Sequence, residues 1–108
     1  MKFVIILEKV FREKHYQKAI ELVFTKENIK YVSQCPYKVR YKERIIGRYF
    51  MDLLVENKIV IEIKRGDYFS KNNIDQIYNY LKAINLKLGI LVNFTSKGLR
   101  YKRILNIT

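Results

Sequence analysis

The sequence predicts a single α/β domain in which helices flank a mixed β-sheet, with the element order α-β-β-β-α-β-β. The sequence contains two helical patterns with three strand patterns between them, and two further strand patterns follow the second helix. A helix between the third and fourth strands suits a crossover to a parallel neighbour, whereas the first three strands suit an antiparallel meander. The chain has 108 residues with 4 glycines and 1 proline, and nothing in it marks a domain boundary. We therefore expect residues 1–108 to form one domain.

The first helix is predicted from Glu8 to Glu27, where apolar residues recur at helical spacing between lysines and glutamates. Phe3 to Leu7 either extends this helix or forms a separate short element, and Asn28 is expected to end the helix. The apolar stripe consists of Val10, Phe11, Ala19, Ile20, Val23 and Phe24.

Three strands are predicted to follow as a meander. Pro36 in the first of them favours an edge strand or a bulge, because proline cannot donate a hydrogen bond to the ladder. Gly47 in the second strand permits a bulge or a bend. The strands are predicted at Tyr31–Tyr41, Ile45–Val55 and Ile59–Lys64, with turns at 42–44 and 56–58.

The second helix is predicted from a cap at Ser70 or Asn72 to about Ile84. The apolar run Leu86–Val92 is nearly continuous, which is typical of a strand buried on both faces. Leu99–Ile107 is predicted to be the last strand. The buried face of the helix is expected to consist of Ile74, Ile77, Leu81 and Ile84.

The charge balance favours a polyanionic partner. The chain carries 22 lysines and arginines against 10 acidic residues, a net charge of +12. Such an excess attracts polyanions at long range, and nucleic acid is the obvious one. The alternative is compositional bias, because the chain is rich in Lys, Ile, Asn and Tyr together, as any protein of an AT-rich genome would be.

Cysteine usage and hydropathy bear on the compartment. Cys35 is the only cysteine, which excludes an intramolecular disulfide and a thiol cluster for zinc. The apolar run at 3–7 is too short for a secretion signal or a membrane span. We therefore expect a cytoplasmic protein without a membrane partner.

The most informative residues are Asp52, Glu62 and Lys64. Glu62 and Lys64 lie two apart on a predicted strand, so both project to one face, and a short turn brings Asp52 on the preceding strand close to them. Two carboxylates suit Mg²⁺, which completes its shell with water and substrate phosphate. The alternative is a buried ion-pair network without chemistry, since charge clusters with perturbed pKa values also occur for structural reasons.

Each helix adds a polar pair. Gln76 and Tyr80 are four residues apart and share a face of the second helix. Glu13 and Tyr16 stand three apart on the first helix. Taken alone, Glu13 would be read as a solvated helix charge and Tyr80 as ordinary packing.

Together these residues resemble the PD-(D/E)XK nuclease superfamily and, within it, the small GxxExxY protein family. The likeness extends from about Phe11 to Asn106. Two positions depart from the pattern: Val10 stands where the family has its leading glycine, and Met51 stands where the superfamily often has proline. The residues that carry the resemblance are Glu13, Tyr16, Gln34, Pro36, Val39, Tyr41, Gly47, 52–64, 76–94, Arg103 and Ile104.

The resemblance implies a restriction-endonuclease-like core and a nuclease that hydrolyses DNA to 5′-phosphate and 3′-hydroxyl ends with Mg²⁺ or Mn²⁺. Asp52, Glu62 and the carbonyl of Ile63 would bind the metal ion, and Glu13 would complete the acidic cluster. Lys64 would position or activate the attacking water. The remaining catalytic residues would be Gln76 and Tyr80, holding Lys64, the water or the scissile phosphate.

Basic residues in the loops and the last strand are expected to contact phosphates, which gives affinity without sequence information. We expect DNA as the partner, with a homodimer or a larger nuclease complex as the assembly. The alternative function is a catalytically silent nucleic-acid-binding module, or a complex subunit, that retains the nuclease fold. The candidate phosphate-binding residues are Arg65, Lys71, Arg100, Lys102 and Arg103.

Overall fold

The computed structural model describes residues 13–107. Within these residues, five strands form one sheet in the order β1-β2-β3-β4-β5, with two helices packed against it, and the predicted element order is confirmed. No helix of this part of the chain is long and apolar enough to cross a membrane. The elements are α1 (Glu13–Lys26), β1 (Tyr31–Tyr41), β2 (Arg44–Val55), β3 (Ile59–Arg65), α2 (Lys71–Ile84), β4 (Leu88–Thr95) and β5 (Gly98–Leu105).

The sheet is mixed, as predicted. β3 and β4 are parallel and are joined by α2, whereas the pairs β1–β2, β2–β3 and β4–β5 are antiparallel. A parallel connection needs a crossover, and the helix supplies it. The carboxyl end of β3 therefore lies beside the carboxyl end of β4, with Lys64 opposite Asn93.

Of the two described helices, one packs on each face of the sheet. On the first face, Tyr16 of α1 stacks on Phe94 of β4 with ring centroids 4.0 Å apart. On the second face, Ile77 and Leu81 of α2 are fully buried against the sheet. Strands β3 and β4 are buried on both faces, so their apolar runs are nearly continuous.

The two ends of α2 are capped, and the cap at its carboxyl end explains the shifted start of β4. Ser70 is the N-cap of α2, and its side chain accepts a hydrogen bond from the N–H of Asn73 at 3.3 Å. Asn85 ends the helix in the left-handed conformation, and the N–H of Leu86 still bonds to the carbonyl of Leu81 at 2.9 Å. β4 consequently starts at Leu88, two residues after its predicted start. The predicted start of the first helix at Glu8 and the element at 3–7 lie outside the described residues.

The β1–β2 hairpin extends past the rest of the sheet. β1 is an edge strand, as Pro36 predicted, and only Leu53 to Val55 of β2 pairs with β3. The distal part of the hairpin, residues 37–49, is called the arm below. Its turn has positive φ at Lys42 and Glu43, which suits the twist of a tight hairpin. The predicted bulge near Gly47 is present, because the register shifts between Val39 and Arg40.

Candidate active site

The site lies where β2 and β3 separate. The last paired residues of this ladder are Leu53 and Ile61. Beyond them, the N–H of Asp52 donates to Oε1 of Glu62 at 2.9 Å, and the N–H of Ile63 donates to Oδ2 of Asp52 at 2.7 Å. Two carboxylates thus take the place of backbone carbonyls, and each is bound to the other residue's strand.

Burial makes this carboxylate pair costly to ionise. Desolvation, followed by the charge of Asp52, raises the pKa of Glu62 to about 7. Desolvation also raises the pKa of Asp52, against the opposing effects of the Ile63 N–H and the Lys64 ammonium. Charged groups lose solvation free energy on burial, and a nearby counter-charge can offset that loss. The ionised pair therefore calls for a cation in addition to Lys64.

Lys64 and Glu13 both lie near enough to act on the pair through their charges. The Lys64 ammonium lowers the pKa of Asp52 and of Glu62, whereas the Glu13 carboxylate raises both. Glu13 begins α1 as described, and its Oε1 accepts a hydrogen bond from the N–H of Arg65 at 3.3 Å. This contact places the start of α1 at the carboxyl end of β3.

The acidic side chains at the site form a close pair with a third carboxylate further away. Across residues 13–107, no group of three or more His, Cys, Asp or Glu side chains is arranged to hold a metal ion. Asp52 and Glu62 remain as a pair, with Glu13 at the margin. Mg²⁺ commonly takes only one or two protein carboxylates, so the pair matches what that ion needs.

Helix α2 brings its predicted polar pair to the same place. Nε2 of Gln76 donates to the hydroxyl of Tyr80 at 3.3 Å. Tyr80 is 2% exposed, and burial together with the negative charge of Glu62 raises its pKa above the ordinary value. Its phenol therefore stays protonated and faces the carboxylates as a neutral hydrogen-bonding group.

Gln34 and Gln17 belong to the site, although sequence reasoning gave them no role. The side chain of Gln34 hydrogen-bonds the Asp52 carboxylate, and its Nε2 donates to Oε1 of Gln17 at 3.1 Å. Nε2 of Gln17 lies 3.1 Å from both the carbonyl of Asp52 and a carboxylate oxygen of Glu21. Two amides therefore hold Asp52 at its side chain and at its backbone.

A local inversion of the hairpin explains this arrangement. Gln34 has φ of 50°, in the left-handed region, between the paired residues on either side of it. Tyr31 packs on the α1 face of the sheet, whereas Tyr37, also at an odd position, packs on the α2 face. β2 changes faces in the same way, because Leu53 packs on the α1 face and Met51 packs on the α2 face. The two strands exchange faces at Gln34 and Asp52, which turns both side chains into the site.

Asn93 is a third residue to which the sequence pattern assigned no role. It is 2% exposed, and its Nδ2 donates to the carbonyls of Gly66 at 3.2 Å and Tyr68 at 2.8 Å. Its Oδ1 is buried with no hydrogen-bond partner among residues 13–107. Asn93 lies beside Lys64 and fixes the loop that follows β3.

The predicted phosphate-binding residues divide between the two faces. Arg100 and Lys102 alternate with the buried Ile104, so they lie on the α2 face together with Lys64. Arg103 pairs with Ile90 and lies on the α1 face. Arg65 ends β3, and Lys71 begins α2. The five exposed side chains do not form one patch.

A solved structure titled "Crystal structure of SSO0001" has a similar fold. The two chains superpose with a TM-score of 0.62 at 21% sequence identity. The match covers 88% of this chain and 51% of that chain, so this chain spans about half the length of that protein. At this identity the likeness concerns the fold. No curated protein matches the chain.

The family comparison covers nearly the whole chain. A family model described as the PD-(D/E)XK nuclease superfamily matches residues 3–104. That range includes β2 and β3 with the carboxylate pair, both described helices and most of β5. The chain belongs to the PD-(D/E)XK nuclease superfamily.

Proposed function

We propose that this protein is a Mg²⁺- or Mn²⁺-dependent nuclease that hydrolyses DNA phosphodiester bonds to 5′-phosphate and 3′-hydroxyl ends. The observation that carries the proposal is the carboxylate pair, in which Asp52 and Glu62 each accept a hydrogen bond from the opposite strand at 2.7 to 2.9 Å. Membership of a nuclease superfamily supports it. We also propose that the chain is a member of the GxxExxY family, on the residues that resemble it.

The proposed metal ligands are Asp52, Glu62 and the carbonyl of Ile63, with Glu13 acting at the margin of the site. The fit rests on burial: both carboxylates have raised pKa values, so their ionised forms gain most from a neighbouring cation. When bound, a divalent ion would polarise the scissile phosphoryl oxygen and lower the pKa of the attacking water.

The remaining roles follow from position. Lys64 lies on the same face as Glu62, two residues further along β3, where its ammonium can orient the attacking water and hold the scissile phosphate. The protonated hydroxyl of Tyr80 and the amide of Gln76 are donors on the α2 side. Such preorganised donors stabilise the charge that develops on the phosphoryl oxygens.

DNA is the proposed substrate because of charge and chemistry together. The net charge of +12 attracts a polyanion. A cation bound by two carboxylates keeps open coordination positions, and the oxygens of a phosphodiester can fill them. Arg100 and Lys102 lie on the same face of the sheet as Lys64 and would contact the phosphates that flank the site.

The test combines metal binding with cleavage. Mn²⁺ binding would be measured by calorimetry for wild type, Asp52→Asn and Glu62→Gln, and the same samples would be incubated with plasmid, linear and branched DNA. Glu27→Gln is the matched control, because Glu27 is an exposed glutamate just after α1. We expect metal binding and cleavage to be lost together in Asp52→Asn and Glu62→Gln, and to be kept in Glu27→Gln.

A wild-type protein that binds no divalent ion and cleaves none of the substrates would contradict the proposal. If that protein still bound DNA, the chain would be the alternative, a catalytically silent binding module. Lys64→Met distinguishes metal binding by the carboxylates from catalysis by the lysine. We expect this variant to bind Mn²⁺, because the ammonium is not a metal ligand, and to cleave DNA poorly.

A further inference from the structure

An open groove of about 840 Å³ lies between the arm and α2. Its size falls within the range of about 300 to 1,000 Å³ that is typical of small-molecule sites. One wall is aromatic and aliphatic and belongs to the arm, and the other wall carries side-chain amides and belongs to α2. The principal lining residues are Tyr37, Val39 and Tyr49 of the arm and Asn72, Gln76 and Asn79 of α2.

The groove is continuous with the candidate active site. Gln76 and Tyr80 line it and also lie beside the carboxylate pair. The Tyr80 ring is held edge-on by Tyr37 at 5.0 Å and by Tyr49 at 5.8 Å between centroids. Tyr49 is 47% exposed, so part of its ring is open to a ligand.

The arm wall of the groove lacks a side chain at Gly47. This residue is paired with Val39 across the arm, so a side chain at position 47 would project on the groove side. Among residues 13–107, a Cβ at Gly47 would meet no atom within 4 Å. The arm therefore leaves free space at the position where a strand would normally present a side chain.

The chemistry of the walls suits a neutral, planar and polar ligand. Exposed tyrosine rings stack on nucleobases without regard to sequence. Asparagine and glutamine side chains can form hydrogen bonds with the Watson–Crick edge of an unpaired base. Asp75 and Lys82 both line the groove, so their opposite charges offset each other and the remaining polar groups of the walls are uncharged.

We propose that this groove binds an unpaired nucleobase of the substrate, next to the phosphate held at the carboxylate pair. The inference rests on the proposed nuclease function and adds to it a preference for unpaired strands. Base pairing hides the edges that Asn72 and Asn79 would contact, and duplex stacking hides the faces that Tyr49 would cover. A single strand or an unpaired junction arm offers both.

The experiment measures binding without catalysis. In EDTA, fluorescence anisotropy would give the affinity of wild type for a short labelled single strand and for the duplex of the same sequence. Two variants alter the groove: Tyr49→Leu removes a stacking ring, and Gly47→Leu places a side chain in the open space beside Val39. Tyr101→Leu is the matched control, because Tyr101 is 63% exposed on the α1 face of β5.

We expect both groove variants to bind the single strand about ten-fold more weakly, in line with the effect of losing one base–aromatic stack. Duplex affinity should change less than about two-fold, and Tyr101→Leu should bind both as wild type does. A 2-aminopurine in the single strand should be quenched by wild type and not by Tyr49→Leu. Thermal melts check that each variant is folded.

Unchanged single-strand affinity in folded Gly47→Leu would overturn the inference, and so would an equal loss for duplex and single strand. If the wild type proved to be a dimer that Gly47→Leu dissociates, the groove would hold a second copy of the chain instead, and the inference would be wrong. Because EDTA removes catalysis, a protein that cleaves nothing can still pass this test, so the two proposals fail separately.

Discussion

Gln17 and Gln34 are joined amide to amide, with Nε2 of Gln34 donating to Oε1 of Gln17 at 3.1 Å. This bond links α1 to the edge strand β1 at the point where the strand inverts. Both amides also bind Asp52, one at its carboxylate and the other at its carbonyl. The position of a proposed metal ligand is thus set by two residues that would not touch the metal ion.

We expect Gln34→Gly to weaken Mn²⁺ binding by roughly 10- to 100-fold, the usual effect of removing a partner of a metal ligand. Glycine adopts the φ of 50° found at Gln34 without strain, so the melting temperature should stay close to that of wild type. Calorimetric titration and thermal denaturation on the same samples measure both. Ser33→Gly, at the neighbouring exposed position, is the control, and an equal loss of affinity there would argue against a positioning role.

We expect the stability of the metal-free protein to fall as pH rises from about 4.5 to 7, because Glu62 has its folded-state pKa raised from 4.5 to about 7. The folded state binds the proton more tightly than the unfolded state, so this contribution is complete below pH 4.5 and is lost as pH passes the folded-state pKa. Relative to Glu62→Gln, wild type should lose on the order of 2–3 kcal/mol between pH 4.5 and 8.

Urea unfolding in EDTA at several pH values gives this difference. Added Mg²⁺ should restore wild-type stability at pH 8 and leave Glu62→Gln nearly unchanged, because the ion binds the ionised carboxylate. A constant difference between wild type and Glu62→Gln across this pH range would contradict the raised pKa. Asp52 is shifted in the same direction and is present in both proteins.

Substitution by alanine should lower the free energy of unfolding at Gly89 but not at Gly47. A Cβ at Gly89 would collide with Cγ2 of Ile77 and touch Leu81, so Gly89→Ala should cost about 1–3 kcal/mol through overpacking between β4 and α2. The added methyl of Gly47→Ala would meet no atom of the described residues within 4 Å, so this substitution should be neutral or slightly stabilising. Chemical denaturation of the two variants tests the contrast, and similar losses in both would refute the close approach at Gly89.

Asn93→Ala should destabilise the fold by about 2–4 kcal/mol, because two backbone carbonyls of the loop after β3 lose their donor. The same substitution at Asn79, which is exposed on α2, should cost less than about 0.5 kcal/mol. Urea midpoints measure the difference. A small effect at Asn93 would mean that the loop is held by other contacts.

The elements could be predicted because their signals are local. Both boundaries of β1, Tyr31 and Tyr41, agree with the prediction. The second boundary is clear in the sequence because the apolar alternation stops at a tight turn. The start of β4 was predicted two residues early, because Leu86 is apolar yet still belongs to the left-handed end of α2. Hydropathy alone does not distinguish an apolar residue in a helix cap from one in a buried strand.

The site was predictable only where spacing determines direction. Alternation along β3 placed Glu62 and Lys64 on one face, and a spacing of four placed Gln76 beside Tyr80. Gln34 reaches Asp52 only because its backbone is left-handed, and no pattern in the sequence indicates that conformation. Asn93 lies within an apolar strand, and its role depends on a loop on the neighbouring strand.

The parallel pairing of β3 with β4 has a consequence for the order of folding. Asp52 and Glu62 belong to a local hairpin, which can form while both side chains are still in water. Their burial is completed only when the crossover helix and β4 dock, and that step requires a longer loop to close. Without metal, Glu62 gains proton affinity as these elements dock, so the docked state becomes less stable, relative to the isolated hairpin, as the proton concentration falls.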